Sequence, residues 1–557
     1  MKRQLPLVAV LGALVVGTAG MSLVRTGRAG ANPDVNPPVG AVDGLGADDA
    51  PMFTAYGRTP NGETPQTNQG PVKRQENCDS QSAPEISDMG GSVTVEERES
   101  GRSSLGYWCN MKLIGNYGPD DPLGFEGSEW QLARYKNCAY YSQRTVNPQV
   151  ARMAGNGTGK VIQERPGTVV VDMSDPTNPK FATNINTLGM YDPWETVKIS
   201  EKRGILAAVD VMDGTGVGYM GIYDISSGDC KNPIKLFDGQ ITAVNHEGNI
   251  SADGMTYYTG GLTGGIISAI DISTPRAPRL ITTFFAKAGI HGMSTSPDGK
   301  RLYLSLINED WPYTMYAGHG TTYKKGRPGN DSLTGGNGFG IYDISEIQER
   351  KPHPQVHLVS ALEYPDAQLG QHTLNWTDSK TGKLYAAEIS EKGGGGARII
   401  DITDEKVPTV ISKIKTEIMM PENNERAGNE TNGARNGRYE YGGDLRFGYN
   451  IHYCNIDKRV DPTMMACAGF ESGLRVYDIR DVHNPKELGY YNPGGDGSFM
   501  PGGWCGVYSG YLAAMPQFEP TKHQIWFSDQ CRGIFVVQPT NGTWISDATE
   551  ETLSHGV

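Results

Sequence analysis

The chain has 557 residues, enough for one large repeat fold or several domains. Its formal net charge of −13 argues against nucleic acid or an anionic membrane surface as the main partner. The eight cysteines contain no CxxC pair, which leaves zinc-ribbon and thioredoxin-type readings without support, and their even number fits a disulfide-bearing exported protein.

In chain order, Lys2 and Arg3 precede an apolar run from Leu5 to Val24, and Ala29-Gly30-Ala31 follows as a small-residue cleavage site. This predicts an export signal over residues 1–31. The run is also long enough for an uncleaved anchor, the only route by which this chain would touch a membrane. Cleavage would remove four basic groups and no acid, leaving a charge of about −17. The expected location is therefore the periplasm, the cell surface or the medium. Residues 32–102 are rich in Pro, Gly, Asn, Asp and Ser without apolar periodicity, and read as a disordered linker. The tail 541–557 reads the same way.

Between them a pattern recurs: a short apolar run, an aspartate, a turn, then usually a proline. It appears as VVVDMSDPTNP (169–179), IYDISSGDCKNP (222–233), AIDISTPRAP (269–278), IYDIS (341–345), IIDITDEKVP (399–408) and VYDIRDVHNP (476–485). The aspartates are Asp172, Asp224, Asp271, Asp343, Asp401 and Asp478. Each follows β-branched or aromatic residues and opens a turn, where a short acceptor bonds backbone two residues on; this predicts a structural role. The closest pair is 47 residues apart, near the length of one four-stranded propeller blade. Within each repeat, strand A leads through a polar turn to strand B, such as RLYLSL (301–306). Strand C is the apolar run, and strand D follows the proline.

These segments resemble the LVIVD repeat, and the resemblance implies an exported or surface β-propeller without naming a reaction. Two further A–B hairpins are legible, at 129–142 and at 503–529. The last repeat has a strand C (533–537) with Gln538 in place of Asp, and no strand D after it. MKLIGNY (111–117) is an orphan D-like strand near the N-terminus. Lending it to the last blade closes the ring and hides both edges. The fold class is thus all-β, a seven-bladed β-propeller over 103–540. Hairpin symmetry pairs Cys454 with Cys467 and Cys505 with Cys531, while Cys78, Cys109, Cys138 and Cys230 stay unassigned.

Five residues before the turn that ends strand A stand Trp130, Glu195, His246, His291, His372, His452 and Trp504 in blades 1 to 7. Four of only ten histidines thus share one position in consecutive blades. Strand A is innermost and its first residues face the channel mouth. His246, His291, His372, His452 and Glu195 are therefore a candidate ring for a transition metal such as Fe, Cu, Ni or Zn. The bland alternative is a residue copied with the repeat and hydrogen-bonded to its neighbour blade. Glu247 follows His246, and strand alternation would turn it away. Long connections at 143–167, 307–338 and 416–450 fall on the same face, and the last two mix aromatic residues, Arg and Gly, which suits a lid or partner surface. KGGGGA (392–397) does not precede a helix, and neither G-x-S-x-G nor H-E-x-x-H occurs.

Two functions follow. One is a binding or scaffold protein that holds a protein or small-molecule partner on the loop-rich face. The other is an Fe- or Cu-dependent oxidoreductase or oxygenase using the four-His ring. The carotenoid-cleaving oxygenases are similar in architecture alone, since no motif here maps onto theirs residue by residue.

Overall fold

Each of the six motif runs forms the third of four antiparallel strands in a sheet, and a seventh sheet completes the ring. The computed structural model describes residues 53–55, 70–94, 96–97, 100–118, 131–143, 167–210, 218–242, 246–261, 265–286, 289–307, 338–363, 369–392, 396–423, 448–494, 512, 514–529 and 532–553. The export signal lies outside these residues, as do Trp130, Trp504, Cys505, Cys531 and most of the three long connections.

The marking aspartates act as turn caps. Asp172, Asp224, Asp271, Asp343, Asp401 and Asp478 each accept, through Oδ1, the N–H two residues on, at 2.9–3.0 Å. This satisfies a donor that the strand C-to-D turn would otherwise leave open. Just before each aspartate the C–D register shifts by one residue, as at Val170/Val171 and Ile399/Ile400. The apolar run, the bulge and the capped turn are thus one repeated unit.

The A strands of blades 1 to 7 are Leu132–Tyr135, Lys198–Ser200, Glu247–Ile250, Gly289–Thr295, Leu369–Thr377, Ile451–Ile456 and Gln517–Glu519. Those of successive blades lie beside one another and line the centre. The apolar core sits between blades. Separate buried clusters fill every junction, for example Leu206 and Tyr223 with Tyr140 between blades 1 and 2. At the ring closure, Trp526, Ile534 and Val536 pack on Leu132, Tyr141 and Val169. Closure follows the expected route: Met111–Tyr117 pairs antiparallel with Gly533–Pro539 and becomes the outer strand of blade 7. Blade 6 gains a fifth strand, Tyr107–Cys109, and blade 4 gains Phe53–Ala55 in parallel.

Among the described residues three disulfides are present. Cys454–Cys467 bridges the hairpin of blade 6 as expected, Cys138–Cys230 ties blade 1 to blade 2, and Cys78–Cys109 holds the N-terminal segment. Such bridges suit an oxidising compartment. The segment read as a linker differs from that expectation after residue 70. Glu85, Ser87 and Met89 are buried, Glu85 pairs with Arg475, and Val93 exchanges two hydrogen bonds with the Tyr449 hydroxyl. The tail also packs: Trp544 and Ile545 lie against the junction of blades 6 and 7, and Glu550 pairs with the buried Arg134. Among the described residues no helix is long and apolar enough to cross a membrane.

Candidate metal centre

The channel mouth is built from strand starts and bulges. Glu195 and Glu247 form an isolated parallel bridge between blades 2 and 3, which sets two carboxylates side by side. In blade 4, Ile290 faces Leu306 and Met293 faces Leu304, so His291 and Gly292 lie in a bulge. In blade 6, His452 is the extra residue between Ile451 and Tyr453. Blade 5 carries two shifts: one leaves Gln371 between Gly370 and His372, and the other leaves Glu391 between Ser390 and Lys392. Bulges turn side chains that a regular pleat would aim elsewhere. Here they bring side chains together at the mouth.

All five residues expected in the ring gather here. His246 Nε2 lies 3.0 Å from Glu195 Oε2 and 3.3 Å from His291 Nε2. His452 Nε2 lies 3.2 Å from both Glu195 Oε1 and Glu391 Oε2. His372 Nδ1 donates to Glu247 Oε1 at 2.9 Å. The equivalence of positions needs one correction. Counted back from the residue whose N–H closes each A–B turn, His246, His291 and His452 lie five residues before Ser251, Ser296 and Asp457. His372 lies six before Asp378, because Thr377 still belongs to the long strand and bridges Val460 of blade 6.

Glu247 is the main correction. Strand alternation does not separate it from His246, because the strand begins at Glu247 and His246 precedes it. Glu247 Oε2 lies 3.4 Å from His291 Nδ1, and Oε1 is shared by His372 and Lys198 Nζ at 3.6 Å. Lys198 Nζ also donates to Gln131 Oε1 at 3.2 Å. Gln371 Nε2 donates to Glu195 Oε1 at 2.9 Å. The Tyr453 ring packs on His372 and His452, with centroids 5.0 and 4.7 Å away. Glu247, Glu391, Lys198 and Gln371 thus join a site that sequence reasoning limited to histidines and Glu195.

The cluster is buried except at His246, whose side chain retains 15% exposure and so marks the side open to solvent. Burial alone would raise the Glu195 carboxyl, but His291, His246 and His452 together overcome it and hold it well below the usual range. Glu247 is likewise drawn down against its burial, to about 2, by His372 and Lys198. Burial opposes protonation of His452, yet Glu195 and Glu391 push it up to about 9. His291 moves upward for the same reason, whereas burial dominates at His372 and Lys198 and lowers both.

Glu195, His246 and His291 fit a metal ion. One ligand atom from each lies within 4.8 Å of the others. Ligands about 2.1 Å from a tetrahedral ion stand about 3.4 Å apart, close to the 3.0 and 3.3 Å separations around His246 Nε2. Two imidazole nitrogens face each other here, and only one of them can donate to the other. A cation shared by both and by the carboxylate satisfies all three. Glu247 stands behind His291, where a carboxylate would orient the imidazole toward such an ion.

No protein-family model and no curated protein matches the chain, so the LVIVD resemblance stands on the motif copies alone. Solved structures similar to it include a putative 6-phosphogluconolactonase from Bacteroides uniformis, 14% identical with a TM-score of 0.44, covering 72% of this chain and 94% of that one. The periplasmic gluconolactonase of Pseudomonas aeruginosa is 10% identical, with a TM-score of 0.41 and coverage of 68% and 96%. Kuenenia stuttgartiensis hydrazine synthase is 13% identical, with a TM-score of 0.38 and coverage of 64% and 78%. At TM-scores below 0.5 these likenesses carry no argument, and the propeller rests on the sheets themselves.

Proposed function

We propose that the chain is an exported metalloprotein of the LVIVD-repeat type, holding a transition-metal ion on Glu195, His246 and His291 at the mouth of its propeller. The observation that carries this reading is the meeting of two facing imidazole nitrogens and one carboxylate beside the single solvent-facing ring. Two histidines and one carboxylate, with a position left open, make a donor set of catalytic rather than structural type. Bound there, an Fe, Cu or Zn ion would supply a Lewis acid, or a redox centre if Fe or Cu, for a small molecule arriving at the mouth.

The chain's own residues would do the rest. Glu247 fixes the His291 ring through Nδ1, so that Nε2 faces the site. Gln371 Nε2 donates to Glu195 Oε1, which turns Oε2 toward the ion. Lys198 offsets the charge of Glu247. The long connections 143–167, 307–338 and 416–450, expected on this face from the strand order, would serve as the partner or lid surface.

The second reading is a metal-free scaffold. It is favoured by the ion pairs that His372 and His452 already make with Glu247, Glu195 and Glu391. Elemental analysis of protein purified from the exported fraction separates the two, beside a His246→Ala/His291→Ala variant. Near-stoichiometric Fe, Cu or Zn that is lost in a folded variant supports the metalloprotein. No metal in either protein, even after reconstitution, overturns it.

A further inference from the structure

Glu195 and Glu391 each present their two oxygens to two different places. Glu195 Oε2 faces His246 Nε2 at 3.0 Å, while Oε1 faces His452 Nε2 at 3.2 Å. Glu391 Oε1 faces His291 Nε2 at 3.7 Å, while Oε2 faces the same His452 Nε2 at 3.2 Å. The donors therefore sort into two loci. One gathers His246, His291 and Glu195 Oε2, with Glu391 Oε1 beside it at 3.7 Å from His291 Nε2. The other gathers His452, Glu195 Oε1 and Glu391 Oε2. Both carboxylates span the gap between them, and both are buried.

We propose that the mouth holds two metal ions, bridged by the carboxylates of Glu195 and Glu391, with His452 as the terminal nitrogen ligand of the second ion. This deepens the metalloprotein reading and rests on it. The second locus is richer in oxygen than the first, which suits Mn, Fe or Zn better than Cu. It is also the deeper one: His452 is 1% exposed and closed off by the Tyr453 and Phe470 rings at 4.7 and 4.8 Å. The outer ion would meet substrate past His246, and the inner one would sit behind it. Paired ions clamp both the attacking and the leaving oxygen of a displacement, so the reaction class favoured is hydrolysis or transfer at an ester, phosphoester or lactone.

The test uses the full chain, stripped with a chelator and dialysed against Mn(II) or Zn(II). Bound metal per chain is measured by elemental analysis, and Mn–Mn coupling by electron paramagnetic resonance. Two equivalents and a coupled spectrum are expected in the wild type. One equivalent and an uncoupled spectrum are expected in His452→Ala. His452→Gln, which keeps a polar side chain in the buried locus, is the second variant, and thermal melting confirms that each is folded. One equivalent in the wild type, unchanged in either variant, overturns the paired centre and leaves the single-ion reading intact. No bound metal overturns both. Two equivalents retained in both folded variants would rule out His452 as a ligand and sink the assignment.

Discussion

Glu247 Oε2 lies 3.4 Å from His291 Nδ1, so the carboxylate of blade 3 sets the ring orientation of the histidine in blade 4. Its other oxygen accepts from His372 Nδ1. Neither contact touches the proposed ion, yet both decide what the ligand presents to it. Glu247→Gln keeps the shape and loses the charge. Expected is a 10- to 100-fold weaker metal affinity with all three ligands still in place. Competition with a chelator of known affinity measures it. An unchanged affinity would mean that Glu247 does not tune His291.

The pH profile of stability carries a second prediction, from Glu388 of blade 5. This carboxyl is buried and accepts from Ser305 Oγ at 2.9 Å, with Arg398 Nη1 at 3.1 Å. Burial outweighs these partners and raises it to about 7, against an ordinary value of 4.5. Between those two values the unfolded chain has released the proton and the folded chain has kept it. The contribution to stability is thus full below about pH 4.5, falls as pH rises to about 7, and is flat above. Relative to Glu388→Gln, the wild type should lose about 3 kcal/mol across that window. Denaturant melts of both proteins from pH 4 to 8 measure the difference. A difference that does not change with pH would contradict the raised value.

The repeat was legible because each copy performs the same local task. A β-branched run, an aspartate cap and a turn can be read without knowing what packs on them, and the closing strand 111–117 could be read because blade 7 lacked an outer strand. The histidines were legible by counting from the turns. Glu391 and Gln371 were not: they stand at register shifts as His291 and His452 do, but neither belongs to the histidine set that recurs at a fixed count from the turn, and a bulge alone leaves no mark in a local pattern. Glu247 escapes the pattern because pleat alternation starts only with the strand, one residue after His246. The N-terminal segment from residue 70 looks unstructured by composition, since its order comes from distant partners: Cys109, Tyr449, Arg475 and Glu487.

That segment gives the third prediction. Glu85 and Glu487 flank the buried Arg475 guanidinium, with Glu487 Oε2 2.8 Å from Nη1 and Glu85 paired with Nη2. Glu85→Ala leaves Arg475 short of one counter-charge where water cannot replace it. Breaking one side of a buried pair costs about 3–5 kcal/mol. The measurable outcome is a lower midpoint in denaturant together with faster proteolysis of residues 70–94. A loss below about 1 kcal/mol, the range of an exposed pair, would show that the segment is not docked as described.

The Cys138–Cys230 bridge gives the fourth. It closes a loop of 92 residues between blades 1 and 2, and neither sulfur bonds to the groups at the channel mouth. Replacing both cysteines with serine should cost about 2–4 kcal/mol, chiefly by freeing the unfolded chain. Metal content should not change. Equilibrium unfolding of the oxidised protein and the double variant tests the first part, and elemental analysis the second. Parallel loss of stability and metal would instead mean that the blade 1–2 junction helps hold Glu195 in position.

The close approach at Gly292 supplies the fifth. A Cβ there would stand 2.3 Å from the Gln371 carbonyl oxygen and 2.4 Å from Glu247 Oε2. The first atom is backbone of the next blade and cannot swing aside. The second belongs to the carboxylate that orients His291 and His372. Gly292→Ala must therefore widen the junction of blades 4 and 5, displace Glu247, or both. Overpacking of this kind costs about 1–3 kcal/mol. If Glu247 is displaced, metal affinity should fall as it does in Glu247→Gln, and combining the two substitutions should add little further loss. Metal titration of the two single variants and the double variant reads that coupling. Fully additive losses would place the damage in the backbone of the bulge and leave the Glu247 carboxylate where it stands.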